Sequence, residues 1–320
     1  MIKHLTMKKG IVAVILGITV TAVILMYSDV HSLWSALKNM NLTYVPLIIG
    51  LIPLNYCVKY FRYHYYLKLA KVKVPFKDEI LSLLSSFVMV VTPGKIGEML
   101  MRGYVLRQKK YDISMLSVCA MTLADRLTEG LAMAALAAVG LLLMETGIGI
   151  WAICVASAIM ALIAFVLQWK TLCHKILNVV GRIKRIHQTI EMFRKAYDQS
   201  YQIFSVIPLF VSVVLGIFAW ICESGVVYLS VAAFGAKITY VQAMFVVSFS
   251  GIVGAVSMVP GGIVVSDGTI LGLLLWLGIE KTAAGAVTII SRFSTMWLGV
   301  VLGCYVMFVS HIRFQTKSEG

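Results

Sequence analysis

Two arginines stand inside long apolar stretches of this chain: Arg126 near the middle of residues 113–144, and Arg292 within residues 283–309. A charged side chain at mid-bilayer costs roughly 2.5–3.5 kcal/mol on insertion scales, so it is normally retained for a partner or a ligand. Asp125 and Glu129 flank Arg126, and their four-residue spacing puts both acids on one helix face. Glu223 is a further acid in apolar surroundings. Two readings of the Asp125-Arg126-Glu129 cluster stand. It is a self-neutralising structural pin, or it holds a cation ready for an anion that Arg126 and Arg292 grip together near the membrane midplane. A plain packing role stays open for each acid.

The chain also breaks twice within apolar sequence. One break reads Thr92-Pro93-Gly94-Lys95-Ile96-Gly97-Glu98, and the other Val259-Pro260-Gly261-Gly262-Ile263, continuing to Ser266-Asp267. Each follows about 12–18 apolar residues, too few for the roughly 20 that a crossing helix needs. Interrupted segments in corresponding halves point to a transporter's substrate site. Proline suits the first turn of a helix. With Pro93 and Pro260 starting returning half-helices, free N–H groups face the membrane interior, where a helix N-terminus binds phosphate or carboxylate. Gly94, Gly97, Gly261 and Gly262 let a head group approach the backbone, and Lys95 and Arg102 add positive charge. Glu98 and Asp267 are placed to pair the arginines when the site is empty, or to carry a coupling proton.

These residues need a membrane scaffold to position them, and the composition supplies one. Sixty per cent of residues are hydrophobic, mean hydropathy is +0.91, and a soluble domain has only about 45–50% apolar residues. The expected fold is an all-α polytopic membrane protein, a single integral-membrane domain over residues 1–320. Full spans are expected at 11–27, 44–61, 113–144, 149–167, 206–234 and 283–309. The two short segments are expected to be re-entrant helical hairpins. The first has basic residues on both flanks: Lys59, Arg62, Lys68, Lys71, Lys73 and Lys77 before it, and Arg102, Arg107, Lys109 and Lys110 after it. Both flanks therefore belong in the cytoplasm. The second lies between Lys237 and Glu280-Lys281, a nearly neutral flank suited to the outside. N- and C-termini are expected in the cytoplasm of a cell-membrane protein.

The breaks superimpose as an internal repeat. Tyr66-Leu67 precedes one and Tyr228-Leu229 the other, and the intervals from Pro93 to Arg126 and from Pro260 to Arg292 differ by one residue. Residues 44–144 form the first repeat and 206–310 the second, inverted with respect to it. Between them, residues 170–200 carry Leu172, Ile176, Val179, Ile183, Ile186, Ile190, Phe193 and Tyr197 at helical spacing among basic residues. Such a stretch lies on anionic inner-leaflet lipids or simply connects the halves.

The formal charge of +14 sits mostly in loops assigned to the cytoplasm, so it follows the positive-inside rule. No nucleic-acid motif accompanies it. The six cysteines are scattered, the histidines never pair at ligand spacing, and no P-loop or GxGxxG occurs. No metal, disulfide or cofactor is expected.

The Thr92–Glu98 run with Arg102, the Asp125-Arg126-x-x-Glu129 cluster, the Pro260-Gly261-Gly262 run and Arg292-Phe293-Ser294-Thr295-Met296-Trp297-Leu298-Gly299 together resemble one family. It is the flippase-like membrane domain of lysylphosphatidylglycerol synthetases and its stand-alone relatives. The resemblance covers roughly residues 11–309. It implies a lipid-handling role; together with the paired breaks, the inverted repeat and the two arginines, the expected function is a flippase for an anionic or aminoacylated phospholipid, or a polyprenyl-phosphate-linked lipid, working by alternating access. In two-domain members a separate cytoplasmic domain makes the lipid, and the chain to Gly320 leaves no room for it, so a transporter rather than an enzyme is expected. The alternatives are a membrane partner that recruits a lipid-modifying enzyme or glycosyltransferase, and the membrane part of a phosphatidylglycerol lysyltransferase. This sequence departs from the pattern after the second break. Val264 and Ser266 stand where a glycine and a basic residue are expected, and Asp267 replaces a glutamate.

Overall fold

The computed structural model describes residues 40–92, 95–144, 168–180, 187–257 and 262–310, with a few isolated positions between them. The expected span 11–27, most of 149–167, and Pro93, Gly94, Pro260 and Gly261 lie outside the described residues. Everything regular among the described residues is helical. In chain order come α1 (Val45–Leu69), α2 (Phe76–Ser86), α3 (Ile96–Gln108) and α4 (Met115–Leu143). Two amphipathic helices follow, α5 (Lys170–Val180) and α6 (His187–Gln199). The second half holds α7 (Val206–Ala233), α8 (Tyr240–Val256), α9 (Ile263–Trp276) and α10 (Lys281–Arg292). A π-helical turn, Phe293–Trp297, carries α10 into α11 (Leu298–Val309).

Four helices are long and apolar enough to cross a membrane: Leu42–Leu69, Met115–Leu143, Val206–Ala233 and Lys281–Val309. The chain is therefore polytopic. At 1.5 Å per residue α2, α3, α8 and α9 reach at most about 26 Å, short of the ~30 Å hydrocarbon core. α2 packs on α3, and α8 on α9. Local signals set their starts. Asp78 and Glu79 lie in the first turn of α2, and Thr239 with Gln242 closes a capping box on α8.

Each half has its own apolar core. Tyr63, Tyr66 and Leu67 of α1 meet Leu83, Met99, Leu106 and Met121 in the first. Val227 and Val231 of α7 meet Val246, Leu274 and Val287 in the second. The halves join by crossed contacts: α1 lies on α7, α4 on α8, and α11 on α2. Glycines permit two of these approaches. A Cβ at Gly140 would come within 2.7 Å of Phe245 Cβ, and one at Gly303 within 2.7 Å of the Leu84 carbonyl oxygen. Backbone cannot yield as a side chain does, so Gly303→Val should overpack the α2–α11 contact by about 1–3 kcal/mol. Thermal unfolding of the detergent-solubilised protein measures this. Gly272→Val, at a position with open space around it, should leave the melting temperature nearly unchanged.

The structure corrects one expectation. α1 runs to Leu69, so Lys59, Arg62 and Lys68 belong to a helix and not to a cytoplasmic loop. Acids on other helices neutralise Lys59 and Arg62, and hydropathy along the chain does not register such cross-chain pairing. The apolar stripe over 170–200 falls on two helices, α5 and α6. Cys173, Leu177 and Tyr197 are buried in the first core, with Ile190 and Phe193 against it, whereas Ile176 and Val179 are exposed. Burial, with Cys173 beside it, pushes the Tyr197 phenol up from its ordinary value.

Candidate functional site

Lys59 and Arg62 lie on the same face of α1 as Asn55, directed at α4 and α7. Lys59 Nζ is 3.1 Å from Glu223 Oε1, and Asn55 Nδ2 donates to the same oxygen at 3.0 Å. Arg62 Nε lies 2.8 Å from Asp125 Oδ1, and its Nη2 lies 2.7 Å from Glu129 Oε1. Arg126 takes the other oxygen of each acid, at 2.5 Å from Asp125 Oδ2 and 2.8 Å from Glu129 Oε2. Two guanidiniums and two carboxylates thus close into an alternating ring between α1 and α4. Gly216 of α7 lies beside it, and a Cβ there would meet Arg62 Nη1 at 3.4 Å.

Two further ion pairs involve α3 and α9. Arg102 and Glu98 face each other one turn apart on α3. Arg102 Nε also donates to Ser86 Oγ at 3.1 Å, and the guanidinium lies 4.8 Å from the Tyr63 ring centroid. Arg292 of α10 pairs with Asp267 of α9 through both Nε and Nη2.

These groups surround one cavity of about 570 Å³. Its polar wall comprises Lys59, Arg62, Lys95, Glu98, Arg102, Arg126, Glu129, Glu223 and Arg292. Its apolar wall includes Met133, Trp220, Val247, Ile252 and Val256. Val256 lines the cavity and is also 77% exposed, so the cavity opens at that end of α8. The volume falls within the ~300–1,000 Å³ of ordinary ligand sites. Among the described residues, no group of His, Cys, Asp and Glu could hold a metal ion.

Of the residues singled out from sequence, Lys95, Glu98, Arg102, Arg126, Glu129, Glu223, Gly262 and Arg292 all reach this cavity. Asp125 and Asp267 stand behind it and hold the arginines. Asp267 pairs with Arg292, in keeping with one of the two roles open to it from sequence. Glu98 pairs instead with Arg102, its neighbour one helical turn on.

The helix starts also differ from expectation. α3 begins at Ile96 and α9 at Ile263, each three residues after its proline. Lys95 and Gly262, their N-caps, both adopt the left-handed conformation, with φ of 53° and 62°. Gly97 packs under Thr92 and does not line the cavity, and its N–H donates to Thr92 Oγ1 at 2.8 Å. One N–H at the α3 start is therefore satisfied internally.

Sequence reading missed Lys59, Arg62 and the π-helical turn. That turn follows Arg292 and sends Thr295, Met296 and Gly299 to the cavity wall. π-Bulges concentrate at functional sites. The sequence carries no clear signal for Arg62, which is followed by Tyr63-His64-Tyr65-Tyr66 and then Lys68.

Fold and site together define a polytopic, all-helical membrane protein whose charged cavity is walled by two pairs of short helices. The chain belongs to the family described as the lysylphosphatidylglycerol synthase TM region, which it matches over residues 14–303. It is 21% identical over 164 residues to a UPF0104 membrane protein of Methanothermobacter thermautotrophicus, covering 47% of this chain and 48% of that protein. It is 33% identical over 76 residues to the UPF0104 membrane protein PH1989 of Pyrococcus horikoshii, covering 24% and 23%. These matches span about half or less of the length of the curated relatives.

Proposed function

We propose that this protein moves a lipid bearing a charged head group between membrane leaflets by alternating access. The observation that carries this reading is the cavity itself. It draws its charged wall from α1, α3, α4, α7 and α10 with Lys95, adds Ser250 and Ser266 from the α8–α9 pair, and opens through an apolar mouth at Val256. A head group occupies the polar end while its tails stay in lipid.

An inverted repeat supplies the motion. The same element order occurs twice, each half has its own apolar core, and α2 lies under α11 as α8 lies under α4. Rocking of one half against the other exposes a fixed midplane site to each side in turn. The positive-inside distribution puts the basic base of α2–α3 in the cytoplasm, the α8–α9 pair enters from outside, and both termini are cytoplasmic. The chain carries out no lysyl transfer by itself on this reading.

Reconstitution into liposomes with tail-labelled fluorescent phosphatidylglycerol tests it, with outer-leaflet label quenched chemically. Wild type should equilibrate the leaflets. Arg126→Ala should slow this about tenfold or more; because it leaves Arg62 alone against Asp125 and Glu129, the charge-balanced pair Arg126→Ala with Glu129→Gln is assayed beside it and both are checked by thermal unfolding. A wild-type rate from Arg126→Ala removes that arginine from the site. Purified protein that binds a lipid-modifying enzyme yet moves no lipid would replace transport with recruitment.

A further inference from the structure

We infer that the cavity selects a head group with one net negative charge, and that Lys95 reads that charge. The inference rests on the lipid-handling reading for its setting and goes beyond it in naming the substrate class.

The argument is a balance of charges. Glu223 pairs Lys59, Glu98 pairs Arg102 and Asp267 pairs Arg292, while Asp125 and Glu129 are shared by Arg62 and Arg126. Every acid that lines or backs the cavity is thereby committed. Lys95 lines the same cavity and has no ion-pair partner among the described residues. Arg126 and Lys59 reach it electrostatically as well as Glu129 and Glu223, so its neighbours are of both signs. The residues that line and back the cavity therefore carry a surplus of one positive charge.

Geometry makes the surplus available to a ligand. Lys95 sits two residues after Pro93, where the second half has Gly262 two residues after Pro260. Both positions are left-handed. Glycine adopts that conformation freely, whereas lysine does so at a cost. One helix pair thus presents an ammonium at its tip where the other presents bare backbone. The N-termini of α3 and α9, at these two tips, add partial positive charge of the same sign. A phosphodiester head group with a single negative charge completes the balance. A phosphomonoester brings a second charge for which no further unpaired cation is present among the described lining residues. An aminoacylated, net cationic head group meets a surplus of its own sign.

The test is competitive. Purified full-length protein is placed in nanodiscs holding equal amounts of phosphatidylglycerol, phosphatidylethanolamine, phosphatidic acid and lysylphosphatidylglycerol, and bound lipid is read by native mass spectrometry. Wild type should retain phosphatidylglycerol about tenfold over each of the others. Lys95→Gln should erase the preference, and Lys95→Glu should shift it to lysylphosphatidylglycerol. Lys95→Gly, which suits the backbone, should behave as Lys95→Gln does and so separates charge from folding. Equal retention of lysylphosphatidylglycerol by wild type, or an unchanged preference in Lys95→Gln, overturns the inference. Translocation assays on the same lipids keep the two readings apart. Selective retention without movement defeats transport and leaves selectivity standing. Movement of every head group at one rate defeats selectivity and leaves transport standing.

Discussion

Arg62→Met should cost the folded chain about 3–5 kcal/mol, the range for breaking a buried ion pair from one side. Arg62 is 5% exposed and Asp125 only 3%, and among the described residues Arg62 is the one ion-pair link from α1 to both acids of α4. Without it Arg126 faces two carboxylates alone, and net negative charge is left in a membrane interior that solvates it poorly. The measurement is thermal unfolding of the detergent-solubilised protein, made as a double-mutant cycle. Asp125→Asn alone should also destabilise. Arg62→Met combined with Asp125→Asn should recover part of the loss, because it leaves Arg126 and Glu129 as a neutral pair. Additive losses would show that Arg62 contributes packing rather than charge.

This ring also marks how far the sequence could be read. Arg126, Asp125 and Glu129 were legible because they interrupt an apolar run at helical spacing. Arg292 was legible for the same reason. Their partner Arg62 was not, because it lies in a basic cluster that positive-inside logic assigns to a loop. Only tertiary packing distinguishes it from Lys68, two turns further on. Spans near Met115–Leu143 and Val206–Ala233 follow directly from hydropathy. Helix starts at the breaks do not. Proline suggests a first helical turn, but the left-handed Lys95 and Gly262 delay α3 and α9 by three residues. Over 170–200 the helical spacing was legible, but not which apolar residues meet the core: within α5, Cys173 and Leu177 are buried while Ile176 and Val179 are exposed.

Arg292→Lys should leave the protein folded yet slow lipid movement about tenfold or more, a larger functional loss than its conserved charge suggests. Arg292 holds Asp267 through Nε and Nη2 while lining the cavity at the start of the π-helical turn. A planar guanidinium can neutralise the acid behind it and still present its outer edge to a head group. A lysine ammonium is a point charge and must choose. Asp267 is 3% exposed, so it will capture the ammonium and withdraw it from the cavity. Arg292→Ala is the poorer experiment, because it strands the Asp267 carboxylate and should cost about 3–5 kcal/mol of stability. Inactivity would then say little about the site. Asp267→Asn supplies the opposite sign. It frees Arg292 and adds one positive charge to the cavity balance, so retention of anionic lipid should rise while movement slows through tighter holding. A lysine variant that moves lipid at the wild-type rate would show that Arg292 acts on Asp267 alone, and the anion site would then contract to Lys95 and Arg126.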